Sequence, residues 1–270
     1  MTKQPHINAL YTSKDSVTHS ELMKDIYVKS ETLAGLDKNL IIIGEIGTGK
    51  KRLGRFIHQR SKRKDHPFHC FYCVDVDESK YKDAFWEHVE MEGSHIILSY
   101  DVIEKASGGV LYLDQFSELK TELMTDIIES FFQGCRQLFR FNTAMTPRLV
   151  ISLNAETYQK FSKTPAWEHL LSLLDPFVIM VPPLRERRED ITGLIQYFLN
   201  ECRAMRVEWR NLRISTTATD MCKNYKWPGN IRQLKNAIVQ GAVLSNGETI
   251  EVHHLPFSLN WKLPYTVGKD

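Results

Sequence analysis

The sequence predicts an α/β fold in which helices cover both faces of an open, mostly parallel sheet, with a small domain of helices alone behind it. Two observations support this. Short apolar runs alternate with amphipathic segments of helical spacing along most of the chain, and from Asp190 onward only helical patterns follow. A chain of 270 residues has room for one large domain and a small one, each with a buried core.

Five apolar runs are predicted to form the strands of the sheet. The first run is Leu, Ile, Ile and Ile, and it leads directly into a glycine-rich segment. The third run follows the pair Gly108-Gly109, and the last is ended by Pro182 and Pro183. In order, the strands are expected at residues 40–43, 68–74, 110–113, 149–153 and 177–181.

The helices are predicted from apolar residues spaced three and four apart. One follows the glycine-rich segment. Asp190 is expected to cap the first helix of the small domain, residues 217–225 form the second, and a third begins after Asn230. The domains are therefore expected at residues 1–186 for the body and 187–257 for the small helical domain, with a tail at 258–270.

The segment after the first predicted strand is typical of a phosphate loop. Its glycines let backbone N–H groups point inward at an anion, and its final lysine reaches the outer phosphates from the start of a helix. The general pattern has a Ser or Thr next, which holds magnesium, whereas this chain has a lysine there. The alternative is a glycine-rich turn before a helix. The predicted nucleotide-binding residues are Gly44, Glu45, Ile46, Gly47, Thr48, Gly49, Lys50 and Lys51.

Asp114 and Gln115 follow the third predicted strand directly. A phosphate-loop enzyme needs a carboxylate at the end of a neighbouring strand to hold magnesium, and Asp114 fits that role. The next residue is usually a Glu that polarises the attacking water. An amide is a far poorer proton acceptor than a carboxylate, so Gln115 predicts weak hydrolysis. The alternative for Asp114 is a residue that caps a turn.

Composition narrows the class of protein without identifying it. The composition is close to the globular average, no apolar stretch is long enough to cross a bilayer and no secretory signal is visible, so a cytoplasmic location with no membrane partner is expected. A net charge of +2 is too small to predict nucleic-acid binding. Cys70 and Cys73 form a C-x-x-C pair, which suggests half a zinc site, a redox pair or, more simply, a buried strand.

From about residue 40 to residue 256, the chain resembles the AAA+ central domain of bacterial enhancer-binding proteins, the activators of sigma-54 RNA polymerase. The resemblance implies a three-layer AAA+ sandwich with a helical lid, and ATP or ADP with Mg²⁺ as the bound nucleotide. It depends on the phosphate loop with its Gly-Glu start, Ile57-His58, Pro67-Phe68, Gly108-Gly109, the run from Pro182 to Ile191 and the turn from Trp227 to Arg232.

The resemblance also implies roles for individual residues. Lys50 would contact the β- and γ-phosphates and Asp114 would organise magnesium. Asn154 resembles the sensor that positions water, and Arg232 resembles the lid arginine that contacts the γ-phosphate. The alternatives are a polar cap that ends a strand for Asn154 and a surface arginine on a helix for Arg232.

Three departures from the family pattern stand out. The sigma-contacting signature Gly-Ala-Phe-Thr-Gly-Ala is absent from the equivalent region, residues 85–103. Lys51 reverses the acidic charge that is common there in the family. The arginines that reach into a neighbouring subunit fall at Leu173 and Trp167 when the chain is aligned backward from the Pro pair without a gap.

These features together predict a degenerate AAA+ domain that binds ATP or ADP with Mg²⁺, hydrolyses it weakly or not at all, and acts in bacterial transcription control. Expected partners are further copies of the chain, from a dimer to a hexamer ring, and RNA polymerase, with DNA contacted only through a domain outside this chain. One alternative is an active ATPase that remodels a complex, with Arg148 or Arg185 serving the neighbouring subunit. Another is a non-hydrolysing module that senses a ligand such as a cyclic dinucleotide.

Overall fold

The computed structural model describes residues 18–73 and 100–256. These residues form two compact units. The first is Leu22–Pro183, and the second contains residues 184–256 together with the short stretch 18–21. The chain therefore passes from one unit to the other twice, after residue 21 and after residue 183.

The first unit contains a five-stranded sheet in which every strand pair is parallel. The spatial order of the strands is β2-β3-β4-β1-β5. All five predicted strands are confirmed, with bounds that differ by at most two residues. They are β1 Leu40–Ile43, β2 Phe68–Tyr72, β3 Val110–Asp114, β4 Arg148–Leu153 and β5 Phe177–Met180.

Helices connect and cover the strands, as expected where parallel strands need crossover connections. Residues of β1, β3 and β4 are buried almost throughout, which explains why these strands are continuous apolar runs in the sequence. No helix in the described ranges is both long and apolar enough to cross a membrane. The helices of this unit are α1 Glu21–Gly35, α2 Lys50–Arg60, α3 Tyr100–Lys105, α4 Thr121–Leu138, α5 Ala155–Phe161 and α6 Pro165–Leu174.

The second unit contains three predicted helices, α7 Glu189–Met205, α8 Thr216–Asn224 and α9 Asn230–Leu244. The prediction of helices alone was incomplete. A parallel pair of two-residue strands, β6 Arg213–Ile214 and β7 Thr249–Ile250, also joins this unit. The indole of Trp227 is fully buried, and its Nε1 donates a hydrogen bond to the carbonyl oxygen of Cys222 at 2.7 Å.

Asp190 does not cap α7 as predicted, because the helix begins one residue earlier, at Glu189. The Asp190 side chain is buried and accepts hydrogen bonds from the chain that precedes α1. Its Oδ1 accepts from the Ser20 backbone N–H at 2.8 Å, from the His19 backbone N–H and from Thr18 Oγ1 at 3.0 Å. A buried carboxylate with several donors is stable, so Asp190 fastens residues 18–20 to the second unit.

Candidate functional site

The loop between β1 and α2 is a tight turn with an ammonium group at its centre. Gly47 and Gly49 have positive φ angles of 79° and 100°. The Lys50 Nζ donates to the carbonyl oxygens of Gly44 and Glu45 at 2.7 and 3.0 Å, and Thr48 Oγ1 also donates to Glu45 O, at 2.8 Å. The loop therefore folds around Lys50, the geometry expected of a phosphate loop.

Gly44 is fixed by close packing rather than by its dihedral angles. A Cβ atom at this position would lie 2.8 Å from the carbonyl oxygen of Val181 and 3.0 Å from Thr48 Oγ1. A backbone oxygen cannot move aside as the end of a flexible side chain can. The start of the loop therefore lies directly against the end of β5, and only a glycine fits there.

The first turn of α2 is strongly basic. Lys50, Lys51 and Arg52 are its first three residues, and this turn has no acidic residue. Gly49 precedes the helix, and its position provides no side-chain cap. Cations at a helix N-terminus oppose the positive end of the helix dipole, which favours anions there. An anion at this end of the helix would therefore meet both the helix dipole and three successive cationic residues.

Asp114 and Gln115 lie at the same edge of the sheet as this loop, since carboxyl ends of parallel strands meet at one edge. Ser152, on the neighbouring strand β4, connects them. Its Oγ donates to Asp114 Oδ1 at 2.9 Å and accepts the Gln115 backbone N–H, also at 2.9 Å. Gln115 has a left-handed backbone with φ of 56° and ψ of 38°. The pair is thus held rigidly, with a carboxylate at 114 and a neutral amide at 115.

Asn154 follows β4 directly and caps α5. Its Oδ1 accepts the backbone N–H of Glu156 at 3.3 Å, and its own backbone N–H donates to Ser117 Oγ at 3.0 Å. Asn154 thus forms the polar cap that the sequence analysis gave as the alternative to a water-positioning sensor. Because the amide oxygen is engaged in capping, the Nδ2 group is the donor that a sensor role would use. That role stays a prediction.

Lys51 belongs to a cluster that the sequence alone did not identify. Its Nζ donates a hydrogen bond to Tyr72 Oη and lies 4.6 Å from the centre of the Tyr72 ring. Tyr72 pairs in register with Asp114. Partial burial would lower the pKa of Lys51, but the hydrogen bond to Tyr72 and the nearby Cys70 and Asp114 outweigh it, so the pKa is raised. Lys51 is therefore a fixed positive charge at the strand ends.

Comparison with known proteins decides the family. Residues 16–163 match the model of the sigma-54 interaction domain, and residues 185–266 match that of an AAA+ ATPase lid domain. The chain belongs to the sigma-54 interaction domain family. It has the P-loop AAA+ fold of that family: a three-layer α/β sandwich with a mostly parallel sheet, followed by a mainly helical lid, the second unit described above.

The relatives of this sigma-54 interaction domain include transcription regulators. The alginate biosynthesis transcriptional regulatory protein AlgB of Pseudomonas aeruginosa is 31% identical over 247 residues, covering 89% of this chain and 54% of that protein. The regulatory protein LuxO of Vibrio parahaemolyticus is 30% identical over 254 residues, covering 90% of this chain and 54% of that protein. The chain spans about half the length of these curated relatives. The crystal structure of NtrX from Brucella abortus in complex with ADP has a TM-score of 0.73 at 25% identity, and covers 92% of this chain and 57% of that one.

Two of the predicted arginines belong to the lid, and part of the predicted sigma-contact region is not described. Arg232 is exposed in the first turn of α9, in the lid. Arg185 is exposed in the lid as well. Residues 74–99, which include the centre of the predicted sigma-contact region, lie outside the described residues.

Arg148, one alternative for an arginine that serves a neighbouring subunit, is unsuited to that role. It begins β4, so it lies at the opposite edge of the sheet from the phosphate loop. It is buried, and its guanidinium donates to the carbonyl oxygens of Lys38 and Leu33 at 2.5 and 3.0 Å. Burial lowers the pKa of Arg148 to about 10. Arg148 therefore fixes the end of α1 against the sheet.

The two positions aligned with the family's intersubunit arginines belong to the hydrophobic core. Trp167 of α6 is buried and contacts the rings of Tyr158 and Phe161 edge-on, with centroids 5.4 and 5.5 Å away. Leu173 is partly buried against the same core. Apolar side chains packed in this way cannot stabilise a developing phosphate charge.

The C-x-x-C pair lies in and directly after strand β2. Cys70 lies in β2, Cys73 follows the strand, and both are free thiols. Burial is the main cause that raises the pKa of each thiol above its usual value, so neither is readily available as a thiolate. Within residues 18–73 and 100–256, no cluster of three or more His, Cys, Asp or Glu side chains is placed to hold a metal ion.

Proposed function

We propose that this sigma-54 interaction domain binds ATP or ADP in its phosphate loop, hydrolyses it weakly or not at all, and acts as a nucleotide-dependent module in bacterial transcription control. The observation that carries the proposal is the combination of a phosphate loop that keeps its glycines and Lys50 with a neutral amide at Gln115. The ADP complex of NtrX supports the choice of nucleotide.

Binding needs only the groups that the loop retains. Lys50 already lies inside the turn, 2.7 Å from Gly44 O, and can exchange these carbonyl acceptors for phosphate oxygens. Hydrogen bonds between a charged donor and an anion are roughly twice as strong as neutral ones. The basic first turn of α2 adds positive charge to a helix N-terminus, so a di- or triphosphate is the ligand that best balances it.

Hydrolysis needs groups that are altered. A positioned acid or base contributes typically about 10² to 10⁴ in rate, and the Gln115 amide cannot serve as a base. An arginine from a neighbouring subunit contributes about 10³ to 10⁵, and the aligned positions hold Trp167 and Leu173. These effects overlap, but either loss alone would make turnover slow.

The remaining predicted roles complete the proposal. Asn154 would position water and Arg232 of the lid would contact the γ-phosphate. A nucleotide that binds an assembled form more tightly than a single copy would favour self-association, in an assembly from a dimer to a hexamer ring. RNA polymerase is the proposed partner in transcription, and DNA would be contacted only through a domain outside this chain.

Magnesium fits the site less well than the nucleotide does. Asp114 supplies a carboxylate that would hold the ion, but Lys51 places a positive charge where the general phosphate-loop pattern has a hydroxyl and where an acidic residue is common in the family. The proposed contacts between the phosphate loop and the nucleotide do not depend on the ion.

Two measurements on the purified chain test the proposal. Calorimetry with ATP, ADP and a cyclic dinucleotide should show binding of the adenine nucleotides. A phosphate-release assay should show turnover far below the range of about 1 to 100 s⁻¹ that is typical of phosphoryl-transfer enzymes such as kinases. Turnover in that range would contradict the impaired site and favour an active ATPase. Preference for the cyclic ligand over ATP would favour the ligand-sensing alternative. No binding of either adenine nucleotide would contradict the proposed binding of ATP or ADP.

A further inference from the structure

The second of the two junctions between the units, at Pro182-Pro183, is short and has a hydrogen bond on each side. Before it, the backbone N–H of Val181 donates to a carbonyl oxygen of β1 at 2.7 Å. Neither proline has a backbone N–H. After them, the N–H of Leu184 donates to Oδ1 of Asn230, also at 2.7 Å. Only two residues, each with a φ angle fixed by its ring, therefore lie between the two bound positions.

Asn230 is fixed in the lid by its burial and its backbone. It is fully buried, and it begins α9 with a left-handed φ angle of 53°. Asparagine is one of the few residues besides glycine that adopt this conformation readily. Its own backbone N–H donates to the carbonyl oxygen of Trp227 at 2.8 Å, and Gln233 Oε1 accepts the Gly229 N–H at 2.9 Å. The turn that precedes α9 therefore holds the acceptor for Leu184 in one place.

Both bound positions of this junction adjoin groups that the proposed function assigns to the nucleotide. On the lid side, Arg232 follows Asn230 by two residues, in the same first turn of α9. On the other side, the carbonyl oxygen of Val181 is the atom that would lie 2.8 Å from a Cβ at Gly44, at the start of the phosphate loop. The junction thus connects the residue that packs on the phosphate loop to the helix that carries the lid arginine.

We propose that Asn230 is a positioning residue for Arg232, and that its hydrogen bond to Leu184 lets the domain discriminate ATP from ADP. This inference rests on the proposed function, in which the lid arginine contacts the γ-phosphate. An arginine distinguishes the two nucleotides only if its guanidinium reaches the one phosphate that ADP lacks, and a misplacement of about 1 Å weakens such a contact severely. The Asn230 side chain joins the start of α9 to the end of the junction, and without it the two are no longer joined there.

A purely structural role for Asn230 has a different signature. A buried asparagine that satisfies a buried N–H stabilises the lid whether or not a nucleotide is bound. Loss of such a contact lowers the melting temperature but leaves the ratio of the dissociation constants of ADP and ATP unchanged. A positioning role for Arg232 lowers this ratio, because only ATP has the γ-phosphate.

The test measures both constants by calorimetry, with ADP and with an ATP analogue that has an imido group between its β- and γ-phosphates and so resists hydrolysis. Asn230→Gly removes the acceptor and tolerates the left-handed backbone. Asn230→Asp keeps an acceptor oxygen. Arg232→Ala removes the guanidinium, and the double variant Asn230→Gly, Arg232→Ala shows whether Asn230 acts through it.

Two further variants complete the set. Ser215→Ala removes the side-chain cap of α8, a hydrogen bond elsewhere in the lid, and is the matched control. Gln233→Ala loosens the turn before α9 without removing the acceptor, and it provides the same test with a smaller expected change if Asn230→Gly does not fold. Thermal unfolding of each variant establishes that it is folded.

The unmodified chain and Ser215→Ala should bind the ATP analogue about tenfold more tightly than ADP. Arg232→Ala should lose most of this preference. Asn230→Gly should lower it at least about threefold with little change in the constant for ADP, and Asn230→Asp should retain most of it. The double variant should match Arg232→Ala, because a residue that acts only through another adds nothing once that one is removed.

The outcomes separate this inference from the proposed function. If Arg232→Ala lowers the preference and a folded Asn230→Gly does not, Asn230 has only a structural role while nucleotide binding stands. Additive losses in the double variant, or an equal loss in Ser215→Ala, would also overturn the inference. If Arg232→Ala keeps the full preference, the role of Arg232 and this inference both fail although the phosphate loop still binds. If no protein binds either nucleotide, the proposed function itself fails.

Discussion

Two loops at one edge of the sheet differ in how closely their residues follow the family pattern. The loop after β1 keeps its glycines and its lysine, and Lys50 donates to the carbonyl oxygens of Gly44 and Glu45 within the turn. The loop after β3 keeps Asp114 but has an amide at 115, locked by Ser152 through the backbone. Under the proposed function, the first loop would bind phosphate and the second would direct water. We therefore expect nucleotide binding and turnover to depend on the ends of two different strands, β1 and β3, which β4 separates in the sheet.

Of the substitutions that test this difference between the two loops, Lys50→Ala should have the largest effect on ADP binding. Removal of a charged donor from the phosphate loop should weaken ADP binding by about 10²-fold, because hydrogen bonds to charged groups contribute roughly 1.5–3 kcal/mol each. Calorimetry with ADP measures this, with Lys64→Ala as a control that should bind normally. Unchanged affinity in Lys50→Ala would show that the loop after β1 does not bind the nucleotide.

Gly44→Ala should have the next largest effect on ADP binding. The new methyl group would lie 2.8 Å from Val181 O, and overpacking of this kind costs typically about 1–3 kcal/mol of stability. The loop would shift to relieve the contact, so ADP binding should weaken as well. Urea unfolding and calorimetry on the same sample measure both, and Gly35→Ala, where a Cβ meets no atom within 4 Å, is the matched control. A tolerated Gly44→Ala would mean that the loop is looser than the structure shows.

Gln115→Glu tests the loop after β3. It restores the usual carboxylate, but phosphate release should rise by no more than about tenfold, because residues that act as a unit do not contribute additively and the positions aligned with the intersubunit arginines hold Trp167 and Leu173. ADP affinity should stay within a few-fold of the original. A rise of 10² or more, the contribution of a general base alone, would show that Gln115 is the one damaged position.

Ser152→Ala should have the smallest effect on ADP binding and turnover, although it should lower stability. Loss of the hydroxyl leaves the Gln115 N–H and one Asp114 oxygen without this partner, which should cost about 1–3 kcal/mol of stability. These two hydrogen bonds do not involve the phosphate loop, so the dissociation constant of ADP should change little. Denaturant unfolding with parallel calorimetry measures the two quantities. A large loss of ADP affinity with little loss of stability would contradict the separation of the two loops.

The sequence predicted most of the sheet because its central strands are buried on both faces. β1, β3 and β4 are continuous apolar runs of the kind that parallel strands require, and the phosphate loop follows one of them directly. The pair β6 and β7 was missed because two residues are too short to show any periodicity. Local pattern was sufficient where an element is long and buried.

Contacts between distant parts of the chain were not predictable. Lys51 was recognised as an unusual charge, but its contact with Tyr72 depends on the register between β2 and β3, which no local pattern encodes. Asp190 has the residue type of a helix cap, and its actual partners lie about 170 positions earlier in the chain. In both cases the residue type indicated a charged contact, and only the tertiary fold supplied the partner.

The carboxylate of Asp190 has a consequence for how the lid reaches its final state. Its donors, Thr18 and Ser20, precede the entire nucleotide-binding body in sequence, and 172 positions separate Asp190 from Thr18. Helices α7 to α9 can form from neighbouring chain as it is synthesised, but the hydrogen bonds of Thr18 and Ser20 to Asp190 form only once so long a loop has closed. We therefore expect the lid to mature last, and a lid fragment that lacks residues 18–21 to fold less stably than the contiguous sequence suggests.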